Sequence, residues 1–252
     1  MKRLLKGAVK KLARRFRVDV VRYPPPFPSD FDQTDIDTIG DVISFTGTSP
    51  ERIVSLCAAV RYVVANNIPG GIVECGVWKG GSMMAVARTL LSVGDTTRHL
   101  YLYDTFEGMP RPTENDVSYG GEVAIRKWER VKRSNGYSDW VYSSLEDVRK
   151  ALYSVGYPKD LMHFIKGKVE ETIPGEAPQS ISILRLDTDW YESTYHELVH
   201  LFPRVSSGGV LILDDYGHWM GARKATDEYI QENSVKILLN RIDYTGRIGV
   251  KL

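Results

Sequence analysis

The chain has 252 residues, 42% hydrophobic and 26% charged, with a formal net charge of +1. That balance suits one soluble globular domain with a large core and argues against a protein that binds polyanions over its whole surface. Its two cysteines, Cys57 and Cys75, lie in apolar runs. They read as small buried hydrophobes rather than a disulfide framework, which fits a reducing cytosol.

The chain begins with a basic stretch, "MKRLLKGAVKKLARRFR", which contains no acidic residue. Leu4, Leu5, Ala8, Val9, Leu12, Ala13 and Phe16 recur at helical spacing, so residues 1–22 are expected to form a basic amphipathic helix. It lacks the apolar core of a secretion signal and is too short in apolar residues to span a bilayer. Two uses stay open: a helix lying on an anionic membrane surface, or a solvated or partner-docked extension. Aromatic residues hardly interrupt its basic ones, which disfavours nucleic acid.

"RYPPPFPSDFDQTD" follows, and its prolines predict an extended linker. The reading is a linker and lead-in over 23–45 and one folded domain over 46–252. "TSPERIVSLCAAVRYVVANN" is the first expected helix, capped by Ser49 or Thr48 with Pro50 in its first turn.

From residue 70 strands and helices alternate. "GGIVECG", "RHLYLYDTF", "LMHFIKG", "SISILRLDTD" and "GGVLILDDYG" read as strands. "GGSMMAVARTLLSV", "EVAIRKWERV", "SLEDVRKALYSVG", "VEETIP", "STYHELVHLFPRV" and "GARKATDEYIQEN" read as helices. "VKILLNRIDYTGRIGVKL" gives two last strands too close for a helical crossover, hence an antiparallel edge hairpin. The fold class is therefore α/β: a doubly wound, mostly parallel, Rossmann-like sheet with helices on both faces.

In such a sheet ligands bind beyond the carboxyl ends of the strands. Four strands end in polar residues: Glu74-Cys75-Gly76, Asp104, Asp187-Thr188-Asp189 and Asp214-Asp215. Gly76 with Gly80-Gly81 would let a ligand approach the backbone and a helix N-terminus, but the spacing is not that of NAD binders. Asp104, ending the second strand, suits ribose hydroxyls or a turn cap. Asp187 and Asp214-Asp215 fall on neighbouring strands, where three carboxylates call for a cation, and hard oxygens suit Mg²⁺. Strand alternation is expected to turn Asp187 and Asp189 to one side, with Thr188 pointing away.

"ECGVWKGGS", "LYDTFEGMP", "LRLDTDWYESTYHEL", "GGVLILDDYGHWMGARKATDEY" and "IDYTGRIGVK" together resemble the macrocin O-methyltransferase (TylF) family, from about residue 50 onward. The resemblance implies a seven-stranded sheet of the class I methyltransferase type and methylation of sugar hydroxyls with S-adenosylmethionine and Mg²⁺. It implies that Glu74, Gly76, Gly80, Ser82, Asp104, Thr105, Phe106, Gly167 and Val169 bind the cofactor, Asp104 through its ribose. Asp187, Asp214 and Asp215 would hold Mg²⁺, and Asp189 would be the general base. Tyr191, Tyr216, His218 and Trp219 would shape the sugar pocket, and "EGMPRPTENDVSYGGE" would be a mobile lid. The implied acceptor is a sugar-containing small molecule or glycan, handled by a cytoplasmic homo-oligomer whose residues 1–22 could touch a membrane. Two other readings are a D-x-D glycosyltransferase and a non-catalytic S-adenosylmethionine-binding protein.

Overall fold

The computed structural model describes residues 27–252, so the basic helix expected over 1–22 and the first prolines of the linker lie outside the described residues. Among the described residues no helix is long and apolar enough to cross a membrane.

The stretch read as linker and lead-in contains a helix, α1 (Gln33–Val42), followed by a 3₁₀ turn, Ile43–Phe45. A local cap explains it. The Asp32 carboxylate accepts the Asp35 N–H at 2.8 Å, filling one of the donors a helix start leaves open. Everything below concerns residues 37–252, which form one compact unit.

The remaining elements follow the expected order. They are α2 (Pro50–Ala65), β1 (Gly71–Cys75), α3 (Gly81–Ser92), β2 (Leu100–Asp104), α4 (Ala124–Val131), α5 (Leu145–Ser154) and β3 (Met162–Lys166). Then come α6 (Val169–Thr172), β4 (Ile181–Leu186), α7 (Tyr191–Leu201), β5 (Val205–Leu213), α8 (Met220–Glu232), β6 (Asn240–Arg241) and β7 (Arg247–Val250). Ser49 caps α2 by accepting the Arg52 N–H, and Pro50 occupies the first turn, where a missing N–H is harmless.

The seven strands form one sheet in the order β3-β2-β1-β4-β5-β7-β6. β3, β2, β1, β4 and β5 pair in parallel, and β7 returns antiparallel to β5 and β6. The expected doubly wound sheet with its antiparallel edge hairpin is thus present. Every residue of β1 and β4 is buried, as strands covered on both faces require. Cys57 and Cys75 are both buried, as their apolar surroundings predicted. The order of strands runs outward in opposite directions from the parallel pair β1 and β4, so a crevice opens between their carboxyl ends.

Candidate active site

A cavity of about 390 Å³ occupies that crevice. Of the residues singled out in the sequence, Gly76, Ser82, Asp104, Thr105, Gly167, Val169, Asp187, Asp189, Asp214, Asp215 and His218 line it. Glu74, Gly80, Phe106, Tyr191, Tyr216 and Trp219 do not line it.

β1 and β4 register so that Cys75 lies beside Leu186, and the Asp187 N–H donates to the Cys75 carbonyl at 2.8 Å. Gly76 is what allows this. A Cβ there would sit 2.0 Å from the Asp187 carbonyl oxygen, and the residue adopts φ +86°. One strand over, the Asp214 N–H donates to the Leu186 carbonyl at 2.9 Å. Asp187, Asp214 and Asp215 each present a carboxylate oxygen, all within 4.8 Å of one another.

Two arginines hold this acidic cluster, and sequence reading missed both. Arg185 lies within β4, almost fully buried. Its Nη1 donates to Glu74 at 2.6 Å and to Asp187 at 2.8 Å, while its Nη2 donates to Asp214 and, at 3.0 Å, to Thr48. Burial works against its charge, but Asp187, Asp214 and Glu74 outweigh burial and keep it firmly protonated. Arg52 of α2 takes the other Asp214 oxygen and reaches Asp243 at 2.9 Å. The visible signal was an arginine inside an otherwise apolar strand, "ILRL".

Glu74 is therefore part of the cluster's floor rather than of the cavity wall. Burial raises it to about 7 against the pull of Arg185, and its Oε2 is buried without a partner.

Asp189 does not arrive by strand alternation. β4 ends at Leu186, and Asp189 sits in a left-handed turn with φ +68°. The Asp215 carboxyl and Trp219 lie beside its carboxyl and favour its charged form. Burial raises Asp189 to about 7, and the charges of Asp187 and Asp214 add to this. Burial and the charges of Asp189 and Asp214 also push the Asp215 carboxyl well above the usual carboxylate range, so the two acids titrate as a pair. Asp215 Oδ2 has no hydrogen-bond partner.

Asp104 has a clear structural task. Its Oδ2 accepts the Val77 and Trp78 N–H groups at 2.7 and 2.9 Å, and its Oδ1 accepts the Phe106 N–H at 2.7 Å. It ties the loop after β1 to its own turn while still lining the cavity. Phe106 is buried and contributes that N–H. Gly80 caps α3 in the left-handed region, against Leu152.

The aromatic residues divide. His218 lines the cavity with Tyr244, which the sequence did not single out. Tyr191 donates its hydroxyl to Glu228 at 2.7 Å and Tyr216 donates to Asp227 at 2.7 Å, both away from the cleft. Trp219 is buried against Trp190, 5.1 Å between ring centroids, and acts on the site through Asp189.

The stretch expected as a mobile lid is tied down. Buried Asp116 accepts the Tyr191 N–H at 2.8 Å and the Thr113 N–H at 2.7 Å. The Tyr119 N–H donates to the His218 carbonyl and the Met220 N–H to the Val117 carbonyl, each at 2.8 Å. The segment is a wall fixed to α7 and α8 rather than a free flap.

A family model described as macrocin-O-methyltransferase (TylF) matches residues 24–248. The 8-demethyl-8-(2,3-dimethoxy-alpha-L-rhamnosyl)-tetracenomycin-C 4'-O-methyltransferase of Streptomyces olivaceus is 33% identical over 204 residues, 81% of this chain and 74% of its own. The demethyldecarbamoylnovobiocin O-methyltransferase of Streptomyces niveus is 31% identical over 196 residues, 78% of this chain and 71% of its own. The solved structure of the O-methyltransferase NovP superimposes with a TM-score of 0.71 at 29% identity, over 82% of each chain.

Proposed function

Because the chain belongs to the macrocin-O-methyltransferase (TylF) family, we propose that it methylates a sugar hydroxyl of a glycoside, with S-adenosylmethionine as donor, Mg²⁺ in the acidic cluster and Asp189 as general base. Membership sets aside the glycosyltransferase reading. The observation that carries the proposal is the meeting of Asp187, Asp214 and Asp215 with Asp189 in one cavity at the carboxyl ends of β1, β4 and β5.

The residues fit a divalent cation. The donors are hard oxygens, and the unpartnered Asp215 Oδ2 marks a carboxylate the protein alone leaves unsatisfied. Six carboxylates, Glu74, Asp187, Asp189, Asp214, Asp215 and Asp243, surround two guanidiniums, so acidic groups outnumber basic ones here. Asp187, Asp214 and Asp215 would hold such an ion, and it would supply acidification of the acceptor hydroxyl, as metals do for bound water.

S-adenosylmethionine supplies the methyl group, carried on a sulfonium. Gly76, Ser82, Asp104, Thr105, Gly167 and Val169 form the part of the cavity wall assigned to it. Asp104 orients that wall by pinning two turns at once. Asp189 takes the hydroxyl proton, and a base with a pKa of about 7 is matched to neutral pH. Trp219 lies beside Asp189, and Arg185 holds Asp187 and Asp214 together from within β4.

The test is transfer from labelled S-adenosylmethionine to a panel of rhamnosides and other glycosides, with Mg²⁺ and with EDTA. Mg²⁺-dependent labelling of a sugar hydroxyl is expected. Undiminished labelling under full chelation would remove the metal from the proposal, and absence of cofactor binding by calorimetry would remove the donor.

A further inference from the structure

Glu197 lies in the middle of α7, completely buried, and no step above uses it. A carboxyl group placed there costs folding free energy unless something gains from it. Its Oε2 accepts the Thr188 hydroxyl at 3.2 Å, and its Oε1 is buried without a partner. The Cys75 thiol lies near enough to feel the Glu197 charge, and the Cys75 backbone carbonyl accepts the Asp187 N–H. Glu197 thus lies where the end of β1 and the turn after β4 come together.

That turn needs holding. Asp189 occupies the left-handed region, which few residues with a side chain adopt without support from their surroundings. From the cleft side Asp215 and Trp219 hold Asp189. From the helix side the Thr188 hydroxyl, between the two carboxylates, is held by Glu197.

We propose that Glu197 is a positioning residue: through the Thr188 hydroxyl it sets the turn that presents Asp187 to the cation and Asp189 to the acceptor. The proposal rests on the metal-dependent reading of the site. Burial pushes the Glu197 carboxyl well above the usual carboxylate range. A glutamine of the same shape offers Thr188 the same acceptor.

Four variants test this: Thr188→Val and Glu197→Leu, which remove the contact, and Thr188→Ser and Glu197→Gln, which keep it. Mg²⁺ alone is titrated by calorimetry, S-adenosylmethionine is titrated separately, and thermal unfolding is recorded for each variant. Thr188→Val and Glu197→Leu are expected to weaken Mg²⁺ binding about 10-fold or more, the usual effect of losing a group that orients a metal ligand. Thr188→Ser and Glu197→Gln are expected to stay within about 3-fold of the parent, and cofactor affinity to be unchanged in all four. Glu197→Leu alone can lose affinity by misfolding, so Thr188→Val, which keeps the side-chain shape, is the deciding variant. Parent-like Mg²⁺ affinity in Thr188→Val overturns the proposal. If the parent itself binds no Mg²⁺, the metal reading falls instead. A crystal structure of Thr188→Val then decides: Asp189 retained at positive φ overturns the strut, and a relaxed turn supports it.

Discussion

The two ends of this sheet differ in what their polar groups are left to do. The amino ends of β1, β2 and β4 border a larger open groove, about 770 Å³ against about 390 Å³. Its charged groups are satisfied locally. Arg98 pairs with Asp95 at 3.0 Å and donates to the carbonyls of Ile68 and Gly70, while His99 and His163 bond each other at 2.8 Å. At the carboxyl ends, carboxylates outnumber arginines, and Glu74 Oε2 and Asp215 Oδ2 stay without partners. Volume therefore ranks the two ends wrongly. Unsatisfied charge, maintained by a buried arginine, marks the end where chemistry belongs.

The contrast can be broken most severely at Asp189. Asp189→Asn is expected to lower methyl transfer by about 10²–10⁴-fold while leaving S-adenosylmethionine affinity intact, as calorimetry beside an initial-rate assay would show. Retained turnover would remove the base from this end of the sheet.

Next in size is Arg185→Met, which leaves Glu74, Asp187 and Asp214 buried without their shared cation. Urea unfolding of the metal-free protein should show a loss of about 3–5 kcal/mol, and added Mg²⁺ should recover part of it.

A subtler asymmetry lies in pH dependence. Glu74 and Asp189 are raised to about 7, from 4.5 and 3.8 as free groups. Between those values and 7 the folded protein binds protons that the unfolded chain has released. Metal-free stability is therefore expected to fall as pH rises from about 4 to about 7 and to level off once both groups are ionised in the folded protein. Scanning calorimetry at several pH values reads this directly, and saturating Mg²⁺ should flatten the curve. Methyl transfer should move the opposite way, rising as Asp189 loses its proton, so the two profiles cross.

The smallest effect belongs at the amino ends. His163→Ala is expected to leave kcat and KM within about two-fold, the behaviour of a surface position away from any site. A large loss there would mean that the comparison between the two ends is drawn wrongly.

Much of this was legible in the residues. The alternating strands and helices, the closing hairpin, and Asp187 beside Asp214-Asp215 all follow from local patterns and one topological rule. The helix Gln33–Val42 was also written in the chain, in the spacing of Asp32 and Asp35, but the neighbouring prolines dominated its reading. Asp104 carried two readings, ribose ligand and turn cap, and its three backbone partners show the second outright. Tyr191, Tyr216 and Trp219 followed the acidic motifs closely in sequence, yet Tyr191, at the start of α7, and Tyr216, in the turn after β5, both donate to α8.

By itself the sequence determined which residues end strands and which kind of atoms they bring, because hydrophobic periodicity and strand-end chemistry are local properties. Only the tertiary structure decided how those carboxylates are kept together. Arg185 acts across three strands, on Glu74, Asp187 and Asp214. Asp189 reaches the cleft through a left-handed turn instead of the pleat of β4. Glu197 enters from a helix nine residues downstream of Thr188. Charge interactions in a low-dielectric interior depend on distance in space, and no spacing along the chain encodes that distance.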